Sequence, residues 1–162
     1  MFKPKFQTWY DYEMVVDAGL LFLAANKINL PHEDYPDRVP ATLKAIKLFI
    51  EYLENGGMLF DELTQMDIRQ IHHMVFEDTY HAGSYRDITV TVGGNKTPDP
   101  AFIPALLDPL FPVGPQSDLE KWYKEFEECH CFVDGNGRVG GIVLAVLSYI
   151  RSNGESILVP CQ

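Results

Sequence analysis

The sequence predicts an all-α domain, mostly helical, from which one short β-hairpin stands out. Three observations carry this. Apolar residues recur at helical spacing through most of the chain. One stretch, Ile88-Thr89-Val90-Thr91-Val92, instead alternates apolar and polar residues as a strand does, and Gly93-Gly94-Asn95 turns it. The length, 162 residues of which 46% are hydrophobic, suits one domain with a real core. A single domain over 1–162 is therefore expected, with N-terminal helices in 1–58 and a core in 59–152.

The elements follow in order. Over residues 11–28, Met14, Val15, Ala18, Leu21, Phe22 and Ala25 keep a helical period, which Pro31 and Pro36 break. The next helix begins near Pro40, where proline is tolerated. Leu43, Ile46, Leu48, Phe49, Ile50 and Leu53 form its buried side, and Asn55-Gly56-Gly57 ends it. A third helix spans about 61–77 on Ile68, Ile71, His72, Val75 and Phe76, with Thr64-Gln65-Met66-Asp67 as its start signal. Prolines after Lys96 keep the hairpin's return strand brief. Residues 102–110 form a short helix. Ser117 caps the next, with Glu120 as its capping-box partner and Leu119, Trp122, Tyr123 and Phe126 as core. A final helix runs over about 136–152, and Gly154 stops it.

Composition excludes several classes. No apolar run reaches the roughly 18–20 residues of a membrane helix, and the first residues lack a signal-peptide pattern. A cytoplasmic protein without a membrane partner is expected. The three cysteines, Cys129, Cys131 and Cys161, argue against a disulfide framework. Cys129-His130-Cys131 is a poor zinc site, because adjacent side chains cannot converge on one tetrahedral ion. The formal net charge of −10 speaks against generic nucleic-acid binding, which relies on clustered Lys and Arg. It suits a basic partner or simply a soluble surface.

The segment with the most chemistry is His130-Cys131-Phe132-Val133-Asp134-Gly135-Asn136-Gly137-Arg138. Its glycines let amide N–H groups approach an anion closely. The following helix starts there, so its unpaired N–H groups and positive dipole end face the same spot. Arg138 adds a planar fork suited to phosphate oxygens. Asp134 is a hard oxygen ligand for a Mg²⁺ that would bridge phosphates. His130 can accept a proton from a hydroxyl nucleophile. Asp-Gly-Asn-Gly is also ordinary turn chemistry. His130 before it, Arg138 after it and a helix on each side make it less ordinary.

This string resembles the signature of the Fic family, His-x-Phe-x-(Asp/Glu)-Gly-Asn-Gly-Arg-x-x-Arg, matching every defined position through Arg138. Ala82-Gly83-Ser84-Tyr85-Arg86 resembles the entry to that family's flap hairpin, here about 86–98. The resemblance spans roughly 59–150. It implies a mostly helical Fic domain that moves AMP from Mg-ATP to a Ser, Thr or Tyr hydroxyl of a target protein. By that resemblance His130 is the catalytic base, Phe132 anchors the loop in the core, and Asp134 binds Mg²⁺. Gly135, Asn136 and Gly137 form the anion loop, with the Asn136 side chain near the phosphates, and Arg138 holds the β-phosphate. The flap, on Ile88, Thr89, Val90, Thr91 and Val92, docks the target as an added strand.

The sequence departs from that pattern twice. The last arginine of the signature is Gly141, which removes a contact to the γ-phosphate worth on the order of 1.5–3 kcal/mol. Gly140-Gly141 is also a weak helix start, at roughly 1 kcal/mol per glycine. The Doc branch of the family also lacks this arginine and acts as a kinase, so the alternatives are a Doc-like phosphotransferase and a catalytically impaired peptide-binding module. The family's inhibitory (Ser/Thr)-x-x-x-Glu-(Gly/Asn) motif has only an echo in Glu54-Asn55, with Ile50 at its first position, and reads as an ordinary helix end. Restraint then comes from a separate antitoxin-like inhibitor, or is not needed because activity is weak.

Other residues receive structural readings. His72 shares an apolar face and reads as a satisfied, partly buried histidine. Arg86 could support the active-site loop or pair with a carboxylate, and the structural role is favoured. Lys96, Glu127 and Glu128 read as solvated, although either glutamate could orient His130.

Overall fold

The computed structural model describes residues 5–10, 17–29, 36–55 and 62–161 and, of residues 17 and 18, the backbone alone. The expectations for Met14, Val15, Pro31, Gly56, Gly57 and the side chain of Ala18, and the proposed helix starts at 11 and 61, lie outside these residues. Six helices and two small antiparallel sheets make up what is described. The domain is mostly helical, and its strands come only in short pairs.

The organising element is helix α6 (Asn136–Arg151), buried at every position from 139 to 149. A helix apolar on all sides must be surrounded. Helices α1 (Asp17–Ile28), α2 (Val39–Asn55), α3 (Gln65–Val75) and α5 (Leu119–Cys129) surround it, with strand β4 (Ser156–Cys161) alongside. The two glycines at its start have opposite neighbours. A Cβ on Gly140 would lie 2.9 Å from the Tyr123 ring of α5, and one on Gly141 would lie 3.0 Å from Ile28 of α1. Their helix-propensity cost is therefore offset by close packing on both flanks.

The local signals mostly hold. The Asp67 carboxylate accepts the Thr64 N–H at 2.7 Å and its hydroxyl at 3.0 Å, which starts α3 at Gln65. The tip of the hairpin pairs β2 (Thr91–Val92) with β3 (Asn95–Lys96) across Gly93-Gly94. Both glycines have positive φ, 57° and 82°, the combination a two-residue type I′ turn requires. The stretch 88–90 does not join that ladder, and only the Val90 carbonyl continues the pairing, to Thr97 at 3.1 Å. Residues 100–110 form a broken helix, α4 (Ile103–Leu107) between two 3₁₀ turns.

Several expectations need correction. Asp118, not Ser117, caps α5, accepting the Lys121 N–H at 3.2 Å; the Ser117 hydroxyl instead accepts the Gly114 N–H at 3.0 Å. Phe22 and Leu48 are 52% and 46% exposed, because their turns of α1 and α2 face away from α6. The sequence reading also has no terminal sheet. In the structure β1 (Lys5–Tyr10) pairs antiparallel with β4, Lys5 opposite Cys161 and Tyr10 opposite Ser156. Ile157, Leu158 and Val159 are buried, and the Ser148 hydroxyl of α6 accepts the Leu158 N–H at 2.8 Å. Among the described residues no helix is long and apolar enough to cross a membrane.

Candidate active site

The site begins where α5 stops. His130 caps that helix in the left-handed region, at φ 47° and ψ 57°. Histidine tolerates this conformation better than most residues, but it still costs about 1–2 kcal/mol and needs support. Its N–H bonds back to the carbonyls of Phe126 and Glu127. Its own carbonyl accepts from Arg86 Nε at 2.6 Å, and the Arg86 N–H donates to the Cys131 carbonyl at 2.9 Å. The rest of the Arg86 guanidinium reaches the hairpin, with Nη1 donating to the Ile88 carbonyl at 2.9 Å and Nη2 to the Pro98 carbonyl at 2.6 Å. Arg86 is 3% exposed. One buried cation thus ties the histidine to both roots of the hairpin, a stronger part than the supporting one read from sequence.

The loop after His130 is held from inside. Both polar atoms of the Asn136 side chain engage the Phe132 backbone: Oδ1 accepts its N–H and Nδ2 donates to its carbonyl, each at 2.9 Å. The side chain that the resemblance sets near phosphates is thus an internal staple of the loop. Phe132 is fully buried and stacks on His72, ring centroids 4.1 Å apart. His72 stacks on Phe76 on its other side, at 4.7 Å. The His72 Nδ1 accepts the Gly83 N–H at 2.9 Å. That assigns the proton to Nε2, which donates to the Asp134 carbonyl at 3.0 Å. Burial, first of all, lowers the His72 pKa from 6.5 to about 4, so the ring is neutral at pH 7.

Phe76 is the floor beneath the glycines. A Cβ on Gly135 would lie 2.3 Å from its ring, and Gly135 has φ +84°, so this position is glycine for two independent reasons. The guanidinium carbons of Arg38 and Arg138 lie 4.5 and 5.7 Å from the centroid of the same ring. Arg38 also donates to the Val75 carbonyl and pairs with Asp78, both at 2.7 Å.

What remains open is an anion cradle. The α6 ladder begins with the Val139 N–H on the Gly135 carbonyl. The N–H groups of Asn136 and Gly137 therefore point out of the helix start toward any anion placed there. Asp134 is half-buried beside them, one oxygen accepting the Gly135 N–H at 2.8 Å. Its other oxygen accepts no hydrogen bond from the described residues. No three His, Cys, Asp or Glu side chains among the described residues gather into a metal cage. A single carboxylate suits Mg²⁺, which keeps waters and takes its other ligands from phosphate. The donor set fits a Mg-nucleotide better than a resident metal.

Electrostatics favour a neutral His130. Burial lowers the His130 pKa below the usual histidine value, the nearby Arg86 charge lowers it further, and Asp134 opposes both. Glu127 is not solvated as expected. It is partly buried, its carboxyl about 3.9 Å from where a Gly137 Cβ would be, and burial pushes its pKa up to about 7. Its Oε1 has no hydrogen-bond partner among the described residues. Glu128 is exposed, as expected. Ile88, Thr89, Thr91, Val92 and Lys96 are exposed on the hairpin, and Val90 is half-buried.

A model of the Fic/DOC family matches residues 62–148. The chain belongs to the Fic/DOC family. No curated protein matches it. The match covers α3, the hairpin, α5, the loop and nearly all of α6, the parts that build the cradle. Within this Fic domain α6 is tightly packed at the position where the resemblance expects a last arginine. Position 141 points at Ile28 of α1, so that side of α6 is packed against a helix. Glu54, the echo of an inhibitory glutamate, is exposed at the last turn of α2.

Of the residues singled out by sequence, Asp134, Gly135, Asn136, Gly137 and Arg138 lie at the start of α6, and His130 lies at the end of α5. Sequence reasoning missed the roles of Phe76 and His72 in carrying the loop. Their signal was available: His72 and Phe76 lie four apart on one face of the same helical run.

Proposed function

We propose that this Fic domain is a protein adenylyltransferase, moving AMP from Mg-ATP to a Ser, Thr or Tyr hydroxyl of a target protein. The observation that carries the reading is the placement of a neutral, half-buried His130 next to the anion cradle of α6, with Arg86 linking it to the exposed hairpin. In this reading the target docks along Ile88, Thr89, Val90, Thr91 and Val92, presenting its hydroxyl to His130. The imidazole takes the hydroxyl proton as the oxygen bonds to the α-phosphorus and the bond to pyrophosphate breaks. The N–H groups of Asn136 and Gly137 face the phosphate oxygens, and Arg138 supports their charge. Asp134 is the residue that would hold Mg²⁺, which neutralises phosphate charge when bound.

One observation favours a second reading. Ile28 occupies the space beside Gly141, so the family's usual γ-phosphate contact is lacking from α6. Nucleotide seated in the reversed orientation would make the chain a phosphotransferase of the Doc type. ATP labelled at the α- or the γ-phosphate decides between them, because only the moiety transferred stays on the target. Label from the α-position, lost in His130→Ala, supports adenylylation. Label from the γ-position supports phosphotransfer. Mg-dependent ATP binding without transfer to any protein would sink both and leave a peptide-binding module. A separate antitoxin-like inhibitor remains a proposed partner, to be sought by copurification.

A further inference from the structure

Beside the base lies a cleft that the proposed chemistry does not use. Its volume is about 410 Å³, within the range of pockets that take ligands. Pro98, Leu106, Pro109 and Leu110 form its apolar walls, and Cys129 closes one side. Glu125 and Glu128 stand at its rim on the face of α5 that also carries Cys129. Neither glutamate makes an ion pair with a described residue, although Lys121 and Lys124 stand one turn away on the same helix. Leu106 is 43% exposed, and Phe102, one turn earlier along the chain, is 61% exposed.

Two connections place the cleft in the target's path. Cys129 immediately precedes His130. Pro98 ends the hairpin's return, and its carbonyl is held by the same Arg86 guanidinium that holds the His130 carbonyl. The cleft therefore spans the gap between the base and one root of the hairpin.

We propose that this cleft is the anchor subsite for the target: it takes a large apolar side chain flanked by lysine or arginine, a few residues from the modified hydroxyl. The inference rests on the transferase reading for the position of that hydroxyl. The apolar walls select the anchor, and the unpaired glutamates select its basic neighbours. A strand advances about 3.3 Å per residue, so an anchor beside His130 is close in sequence to the hydroxyl that His130 faces. A second copy of this chain is a poor occupant, since its net charge is −10 and the rim is acidic.

The test uses short fluorescent peptides with a central threonine in a run of β-forming residues. One set carries Arg-Leu-Arg at each position before or after the threonine; matched sets carry Arg-Ser-Arg or Glu-Leu-Glu. Binding to the full chain is read by anisotropy without nucleotide, and transfer is read in parallel with α-labelled ATP. One placement of Arg-Leu-Arg should bind on the order of tenfold or more tighter than its Arg-Ser-Arg match, the scale set by burying one leucine. That advantage should vanish in Leu106→Glu, and Glu125→Lys with Glu128→Lys should reverse the preference toward Glu-Leu-Glu. Both variants change exposed or rim positions, and their melting curves should match the parent's. Equal binding of the leucine and serine peptides, no binding of any peptide, or a preference untouched by the rim reversal overturns the subsite. Anchored binding without label transfer would instead overturn the adenylyltransferase reading and leave the subsite standing. Equal labelling of anchored and anchorless peptides would do the opposite.

Discussion

The loop 131–135 and the hairpin tip 91–96 are both short, glycine-containing turns, yet they are held in opposite ways. In the loop, the carbonyls of Cys131, Phe132 and Asp134 each accept a bond, from Arg86, Asn136 and His72. Phe132 is fully buried and Phe76 closes the floor. The hairpin tip has two ladder pairs and no buried side chain. Gly135 is glycine because a ring occupies the space a Cβ needs, whereas nothing lies within 4 Å of a Cβ on Gly93 or Gly94. Under the proposed function the contrast separates two requirements: phosphate geometry would be fixed in advance, while target docking would accept varied sequence.

The sharpest way to break the comparison is Gly135→Ala. The added methyl meets Phe76 in a left-handed backbone, so a loss of about 3 kcal/mol or more is expected by denaturant unfolding, with nucleotide binding abolished. Gly93→Ala has the backbone penalty alone and should lose about 1 kcal/mol. Gly141→Arg restores the family's residue but drives it into Ile28. It should destabilise by about 2–3 kcal/mol and fail to improve ATP affinity in calorimetry; tighter binding would refute the packing account.

Arg86→Lys keeps the charge and loses the fork. About 2 kcal/mol of stability should go, and transfer to protein should fall more than nucleotide binding does. Equal losses would show that the guanidinium serves only the fold.

The pH dependence sharpens the loop side. The His72 pKa is about 4 in the folded chain against an ordinary 6.5, so between these values the unfolded state binds more protons. Its contribution to stability is complete above pH 6.5 and is lost as pH falls toward 4, on the order of 3 kcal/mol in all. Glu127 acts in the opposite sense. Its pKa is raised from 4.5 to about 7, so its contribution is complete below 4.5 and is lost as pH rises through 7. Glu127→Gln should therefore raise the melting temperature at pH 8 and leave it nearly unchanged at pH 4. The smallest effect belongs to the hairpin: Val92→Ser should change stability by less than about 0.5 kcal/mol while slowing target labelling.

The helices were legible because apolar period and capping chemistry are local. Thr64 with Asp67 and the Gly93-Gly94 turn illustrate this. The signature residues were legible because glycines, a carboxylate and an arginine at a helix start have a chemical meaning of their own. The β1–β4 pair was not legible. Ser156-Ile157-Leu158-Val159 is too short an apolar run to separate strand from helix, and its partner lies at the other end of the sequence. The staple role of Asn136 was hidden for a similar reason. An asparagine in a glycine loop can turn outward or inward, and its inward bonds to the Phe132 backbone join atoms that no sequence pattern reports. Ile28 facing Gly141 joins segments more than a hundred residues apart, which no local pattern reports.

The three carbonyls gathered by Arg86 have a mechanical meaning. His130, Ile88 and Pro98 hang from one rigid planar group, so the hairpin cannot swing independently of His130 without breaking a bond. The spacing between the hairpin roots and the His130 backbone is thereby gauged by a single side chain. Under the proposed function, a strand seated on the hairpin would therefore meet His130 at a set reach, and one seated askew would fall short.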